Sequence, residues 1–308
     1  VFKNAVIYGI ARSNPLPAME DIEERLQARA FAECAPTQRM STGFVPPRGE
    51  KHGALVENIG GELIMRIATE TRAVPGPIVK RELDKRLDQI QQETGRRPKG
   101  KRAKEVKEEI LHEMLPKAFP RRASMLAWLS PNSTLLVLDA SGSKRADDAL
   151  SLLADVFGSD CRFHLLQTQT TATSFMASSL LDESGVPAGF GIDRECELKQ
   201  PDSEKASVRY SRHNLDMDEV REHIKQGKLP TRLAMTWSGR VSFVLTEALV
   251  LKKLQLLDVV FESASSESEA DAFDTDVAIF TGEMRRFIPD LVDALGGQLE
   301  ITTKQPAQ

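Results

Sequence analysis

The chain lacks most of the signatures that mark enzymes, secreted domains and membrane proteins. Its three cysteines, Cys34, Cys161 and Cys196, are odd in number and far apart. Without a CxxC pair, neither a disulfide framework nor a zinc ribbon is expected, and a reducing compartment fits. No apolar run reaches the roughly 18 residues of a membrane helix. Phe2 to Ile10 is short and broken by Lys3 and Asn4, unlike a secretion signal. The cytoplasm is therefore the expected location. Aromatic residues make up only 6%, glycine is too sparse for a phosphate-binding loop, and no internal repeat is evident.

What is present suffices for a substantial core. At 308 residues and 41% hydrophobic content, the chain exceeds the size at which single cores split, so two or three subdomains are expected. Phe2 to Ile10 reads as a strand and Ala18 to Phe31 as a helix. Gly43 to Gly49 (GFVPPRG) reads as a turn, and Glu62 to Thr71 as a second strand. After Pro75-Gly76-Pro77 the spacing of Ile78, Leu83, Leu87 and Ile90 is helical, and it resumes through Val106, Ile110 and Met114. These two charged helices form a hairpin with a narrow apolar face, an arm projecting from the body.

Beyond Arg122, Met125 to Leu129 and Thr134 to Asp139 read as strands. Lys144 to Phe157 is an amphipathic helix, Cys161 to Leu166 a strand, and Phe175 to Leu181 a short helix. Glu195 to Lys199 and Ser207 to Ser211 are further strands. Met217 to Gln226 is a helix capped by Asp216, with Glu219 three residues on. Leu229 to Trp237 and Arg240 to Leu245 flank Ser238-Gly239, a hairpin signal, and Leu249 to Leu256 supplies another strand. Ser263 to Asp276, acidic and serine-rich, reads as a flexible connection, and Val277 to Leu295 as a helix stopped by Gly296-Gly297. The fold class is α+β.

Charge is unevenly distributed. Between Lys80 and Arg122 stand 14 basic and 8 acidic residues, about +6, in a chain of net charge -4. The densest cluster is Arg96, Arg97, Lys99, Lys101, Arg102 and Lys104. Fixed cations along a path suit a phosphate backbone, whose counterions they release; such contacts position a duplex without reading its bases. With few aromatics interleaved, duplex contact is favoured over a single-strand groove. A plain solvated interhelix turn is the competing reading.

Catalytic patterns are weak. Ser141-Gly142-Ser143-Lys144 has the S-x-x-K form but no KTG or S-D-N companion, and its hydroxyl reads as a helix cap. Cys161-x-x-His164 has metal-like spacing, with only Cys196 and His112 as further ligands by elimination; Cys161 reads as core. Asp139 ends an apolar strand, as nuclease carboxylates often do, without a D-x-D or E-x-K companion. Phe119, beside Pro116 and Pro120 and among Lys117, Arg121 and Arg122, either packs on the body or anchors a partner subunit.

Several ordered segments are similar to the RdgC family of bacterial recombination-associated proteins. They are FKNAVIY, GFVPP, VPGPIVKREL, LHEMLPKAFPRR, DASGSKRADDAL, HIKQGKLPTRLAMTW and the closing FDTDVAIFTGEM…ALGG. Together they cover nearly the whole chain, and none is a catalytic signature. The resemblance implies a horseshoe monomer of mixed sheet-and-helix subdomains: a centre domain (1-74 and 120-168), a helical tip (75-119) and a base or dimerisation domain (169-308). Two copies close into a ring-shaped homodimer around duplex DNA, bound without sequence preference, and restrain the RecA recombinase. Phe119 matches the family's gate aromatic. Arg212 and His213 match its polar finger, commonly lysine and glutamine; at His213 a neutral imidazole adds no charge.

The expectation is a non-enzymatic, nucleoid-associated DNA clamp without cofactor or metal. Its DNA contacts are Arg96, Arg97, Lys99, Lys101, Arg102, Lys104, Lys117, Arg121, Arg122, Arg212 and His213, with Phe119 as the dimer gate. Single-stranded DNA remains open as a second ligand. The alternatives are a metal-dependent nuclease using Asp139 and a protein-interaction module acting directly on a recombinase.

Overall fold

The computed structural model describes residues 2–12, 15–49, 53–158, 161–182, 185–202, 206–261 and 269–299, without the side chains of 269–271. The fold is mixed α+β and divides into two compact units. The first comprises Val1–Ile22, Val56–Ile64 and Leu126–Gln308; the second comprises Glu23–Leu55 and Met65–Met125.

In the first unit, β1 (Val6–Arg12) lies between β6 (Leu135–Leu138) and β7 (Cys161–Leu165), antiparallel to both. Val6 to Ile10 are all buried, as befits a central strand covered on both faces. The strand therefore starts later than its alternation suggested, and Phe2 instead stacks on Phe280 with ring centroids 4.7 Å apart. From β5 (Pro120–Ser130), Leu126 to Ser130 belong here and pair with β6 from Ala127 onward. β3 (Val56–Ile59), which pairs with β4 (Glu62–Arg72), was not anticipated from the sequence. Four residues carry too little periodicity to register.

A five-stranded antiparallel sheet completes this unit. It comprises β8 (Phe190–Lys199), β9 (Ser207–Ser211), β10 (Leu229–Trp237), β11 (Val241–Thr246) and β12 (Leu251–Leu256). The strand order is β12-β11-β10-β8-β9. Alternation on β10 sends Leu233, Met235 and Trp237 inward and leaves Arg232, Ala234 and Thr236 half-buried on the other face. The inward rings meet the last helix: Phe287 lies 4.8 Å from Phe243 and 5.5 Å from Trp237 between centroids. Ser238 and Gly239 carry φ of 48° and 62°, and Arg240 N–H closes the turn on the Trp237 carbonyl at 2.8 Å. Two left-handed central residues match the twist of a two-residue hairpin, as the Ser-Gly signal indicated.

The remaining helices of this unit are α4 (Ser143–Phe157), α5 (Ala172–Leu181), α6 (Asp218–Lys225) and α7 (Glu269–Ala294). Gly296 and Gly297, both at positive φ, follow α7 as expected. Residues 262–268, in the stretch read as a flexible connection, lie outside the described residues. Two capping expectations are overturned. Gly142 occupies the N-cap of α4 with no side-chain cap bond, so the hydroxyls of Ser141 and Ser143 do not serve there. Met217, not Asp216, caps α6; the Asp216 carboxylate instead pairs with Arg221. Glu219 accepts from the Tyr210 hydroxyl at 3.0 Å. Ion pairing between i and i+5 has taken the carboxylate away from the backbone amides.

In the second unit, β2 (Met40–Val45) runs antiparallel to β4, from Met40 opposite Thr71 to Val45 opposite Arg66. The reading of Gly43 to Gly49 as one turn is thus corrected. Gly43 to Val45 are strand, and only Pro46 to Gly49 turn, with Gly49 N–H on the Pro46 carbonyl at 3.0 Å. Gly43 serves close approach: a Cβ there would lie 2.5 Å from Phe31 Cα. Phe31 N–H donates to Phe44 O at 2.8 Å, and Phe44 N–H to Arg29 O at 3.0 Å, which leaves no room for a side chain. α1 (Met19–Gln27) precedes this segment.

Candidate nucleic-acid interface

The arm consists of α2 (Gly76–Thr94) and α3 (Gly100–Met114). Pro75 and Pro77 fix the entry to α2, since proline is tolerated where amides need no intrahelical partner. Gly95, at φ 73°, stops it by returning its N–H to Gln91 O, a left-handed C-terminal arrest. The two helices meet along a short seam of buried Leu87, Val106 and Ile110, edged by Leu83, Ile90, Ala103 and Met114. Ile78, counted in the apolar repeat, is exposed, and Val79 takes the buried position.

Outside the seam, carboxylates neutralise some cations and not others. Arg97 bonds Asp84 at 3.1 Å and Asp88 at 2.6 Å. Arg102 bonds Glu105 at 3.1 Å, and Arg86 bonds Glu113 at 3.1 Å. Arg96, Lys99, Lys101 and Lys104 are exposed and have no ion pair among the described residues. α3 carries no acid in its first turn. Positive charge at a helix N-terminus is opposed by the helix dipole, so cations there are tolerated rather than stabilised by the helix itself. Lys80, Arg81 and Lys107 are likewise exposed and have no ion pair among the described residues. They were not singled out because they lie outside the dense run, although Lys107 stands one turn beyond Lys104.

Beyond α3 a short 3-10 turn, Leu115–Lys117, leads to Phe119. This ring is 91% exposed, which removes packing on the body from the two readings of Phe119. Its backbone is nonetheless held: Ala118 N–H donates to Leu115 O at 3.0 Å, and Arg72 Nη1 donates to Ala118 O at 3.1 Å. Lys117 and Arg121 flank the ring, exposed and without an ion pair among the described residues. Arg122 differs. Its guanidinium lies 4.1 Å from the Phe31 ring centroid, a cation–π distance, and 3.9 Å from both Glu33 and Glu70.

Arg212 and His213 belong to the first unit, directly after β9, and both are exposed. Arg212 adopts φ 56°, an uncommon conformation for a residue other than glycine. His213 Nδ1 lies 2.9 Å from the Asn214 carbonyl, so the ring donates from that nitrogen when the contact is a hydrogen bond.

The outward face of the five-stranded sheet holds a cationic group that the sequence did not reveal. Glu195 pairs with Lys253 at 2.5 Å and Arg209 at 3.0 Å. Glu197 pairs with Lys199 at 3.0 Å and Arg232 at 3.1 Å. The Lys253 hydrogen bond, assisted by Arg209 against the opposing effect of burial, holds the Glu195 carboxyl below its ordinary value. These residues come from four strands, so no linear window contains the group.

The weaker chemical motifs dissolve into structure. Asp139 Oδ1 accepts from Lys3 N at 3.2 Å, Asn4 N at 2.9 Å and Asn4 Nδ2 at 3.3 Å, pinning the N-terminal segment. Cys161 and His164 sit three apart on β7, and successive strand side chains alternate faces, so the two point oppositely. His164 fills the space over Gly9, where a Cβ would meet its Nε2 at 2.2 Å. Cys34, Cys161 and Cys196 are free and buried; burial pushes the Cys161 thiol up to about 11 and that of Cys196 to about 12. Among the described residues, no group of three or more His, Cys, Asp or Glu could hold a metal ion. None of their helices is long and apolar enough to cross a membrane.

The second unit thus carries a basic helical hairpin followed by a solvent-exposed aromatic. The family model described as "RdgC: Putative exonuclease, RdgC" matches residues 1–298. The chain is 38% identical over 306 residues to the recombination-associated protein RdgC of Dechloromonas aromatica (strain RCB), covering 97% of this chain and 98% of that protein. It is 36% identical over 304 residues to RdgC of Janthinobacterium sp. (strain Marseille), covering 97% and 99%. Against RdgC of Bordetella parapertussis the identity is 34% over 302 residues, covering 97% and 99%. The chain belongs to the RdgC family of recombination-associated proteins.

Proposed function

We propose that this protein binds duplex DNA without sequence preference, as a ring-forming homodimer, and thereby restrains RecA-mediated recombination at the nucleoid. The observation that carries the reading is the arm's turn. Arg96, Lys99, Lys101 and Lys104 stand in solvent with no carboxylate partner among the described residues, while Arg97 and Arg102 beside them are paired. Unpaired cations are the ones free to displace counterions from a phosphate chain. Lys117 and Arg121 extend this set. Arg97, Arg102 and Arg122 must first exchange a carboxylate for a phosphate and contribute less. Arg212 and His213 are the finger contacts of the first unit.

Ring closure is what the family resemblance implies, with tip, centre and base at the boundaries given above and Phe119 closing the gate. A fully solvated phenyl ring on a fixed backbone supports that role, because large apolar side chains left bare commonly anchor a partner. The comparison of wild type with Phe119→Ala on linear and covalently closed circular DNA tests it. The variant keeps its fold, since the ring contacts little, and loses retention on closed circles while still binding linear fragments at low salt. Equal retention of circles by both proteins contradicts the gate.

The family description favours one further reading, a nuclease. Asp139, the residue nominated for it, has its nearest oxygen occupied by backbone and side-chain N–H groups. Linear duplex and supercoiled plasmid incubated with magnesium or manganese both stay intact if the protein acts by binding alone; shortened linear or nicked circular product makes it a nuclease.

A further inference from the structure

A small cavity lies beside the loop that follows β9 in the first unit. Its volume is about 190 Å³, below the roughly 300 Å³ at which clefts for drug-sized ligands begin, so its guest is a single ring system or smaller. Leu180, Ile192 and Leu215 give it apolar walls, the two leucines buried and Ile192 half-buried. Around them stand Asp193, Arg194, Asn214, Asp216 and Arg221. Two carboxylates and two guanidinium groups cancel, so the lining favours neither a naked anion nor a simple cation.

These polar groups keep bonding capacity. Asp193 Oδ2 accepts from Thr236 Oγ1 at 3.1 Å, and Asp216 is held by Arg221, which also reaches Asp218 at 3.4 Å. A carboxylate offers about four acceptor positions, so both acids retain free ones. Asn214 Oδ1 accepts from the Asp216 N–H at 3.2 Å, while its NH2 group has no partner among the described residues. Apolar walls with donors and acceptors at the rim suit an unstacked nucleobase, whose faces pack and whose edge hydrogen-bonds. Every base carries such groups on its edge, so the cavity imposes no sequence. Phosphate contacts lie alongside. Glu195 on β8 pairs with Ser211 on β9, and one step on, Arg194 and Arg212 stand at the same end of the two strands. There the His213 N–H donates to the Arg194 carbonyl at 3.2 Å. Both arginines are exposed and have no ion pair among the described residues. Like charges on neighbouring strands repel, and a phosphate between them relieves the repulsion.

We infer that an unpaired base of a DNA single strand enters this cavity between Leu180, Ile192 and Leu215. Its edge meets Asn214, Asp193 and Asp216, and the adjoining phosphate lies on Arg194 and Arg212. This rests on the DNA reading above, in which Arg212 is a phosphate contact, and adds a site for a second form of DNA. A paired base reaches the cavity only by leaving its stack, at a cost that a single strand largely avoids. The arm's turn, with cations and few apolar groups, holds a backbone; the cavity beside β9 holds a base.

The test uses a short oligothymidine carrying one photoreactive 4-thiothymidine, irradiated with the full chain, and sequences the cross-linked peptides. The expected adducts fall within residues 179–180, 192–194 and 214–216, and the same base paired inside a duplex does not give them. A strand of equal length built of abasic sites competes about fivefold or more weakly than oligothymidine, having lost both wall contact and edge bonds. Ile192→Phe fills the cavity and lowers the adduct yield. Asn214→Ala, at an exposed loop position, leaves the walls in place and weakens oligothymidine binding about two- to tenfold, the effect of losing a neutral hydrogen bond. Adducts confined to other segments, no adduct, or equal yield from the paired base overturns the assignment. So does an abasic strand that competes equally, or binding and yield indifferent to both substitutions. Duplex binding that ignores salt defeats the DNA reading whatever the adducts show. Salt-sensitive duplex binding with adducts elsewhere defeats the base cavity alone.

Discussion

Two patches, the sheet face of the first unit and the arm's turn in the second, hold their cations differently. On the five-stranded sheet, Lys253, Arg209, Lys199 and Arg232 each sit on Glu195 or Glu197. At the turn of the arm, Arg96, Lys99, Lys101 and Lys104 have no such partner among the described residues. The same residue types therefore differ in availability. On the sheet a phosphate competes with carboxylates already in place, and at the turn it competes only with water and counterions. The units differ in packing as well. The first encloses a large core around Trp128, Trp237 and Phe287, while the arm is held by three buried side chains and their flanks.

The largest expected effect probes that contrast in packing. Phe287→Ala, at a fully buried ring, destabilises the first unit by about 3–5 kcal/mol in urea unfolding. Phe119→Ala leaves stability within about 0.5 kcal/mol, as exposed positions do. A comparable loss in both contradicts the burial described.

Acid unfolding sharpens the same unit. Arg240 holds Glu283 through two hydrogen bonds, at 2.8 and 2.6 Å. The Glu283 carboxyl lies below its ordinary value, chiefly through the Arg240 hydrogen bond, with burial opposing. A lowered folded-state value means stability that is fully present above the ordinary carboxylate range and lost as pH falls through the folded value. Arg240→Gln should therefore reduce stability near neutrality and flatten its decline on acidification. Parallel pH profiles for the two proteins would count against this pair.

Smaller effects follow at the hairpin and on the sheet face. Gly239→Ala places a Cβ at φ 62° and lowers stability by about 1 kcal/mol, read as a shifted urea midpoint at unchanged slope. Arg232→Gln, on a cation already paired with Glu197 at 3.1 Å, changes duplex affinity by less than about twofold, the scale of an exposed pair. A larger loss there would make the sheet face, and not the arm alone, a principal DNA surface.

Long periodic elements were legible because burial repeats every turn or every second residue. The paired arm helices, α4 and the Ser238-Gly239 hairpin all follow local rules that the structure keeps. β2 was hidden because Gly43 looked like a turn glycine, whereas it admits the backbone of Phe31. Asp216 was misread because a cap and an ion pair need the same carboxylate, and sequence spacing does not say which wins. At the candidate site, the basic run was visible but its division into paired and unpaired cations was not. Asp84 and Asp88 reach Arg97 from the preceding helix. The exposure of Phe119 likewise depends on where the chain leaves the arm.

The central claim concerns the unpaired cations of the arm's turn. Duplex binding measured by fluorescence anisotropy across a range of salt gives a log–log slope for wild type and for the triple variant Lys99→Gln, Lys101→Gln, Lys104→Gln. The account predicts a steep wild-type slope that becomes shallower by about 0.9 for each lost contact, about 2.7 for the triple variant. A slope that is the same in both proteins, or wild-type binding insensitive to salt, contradicts it.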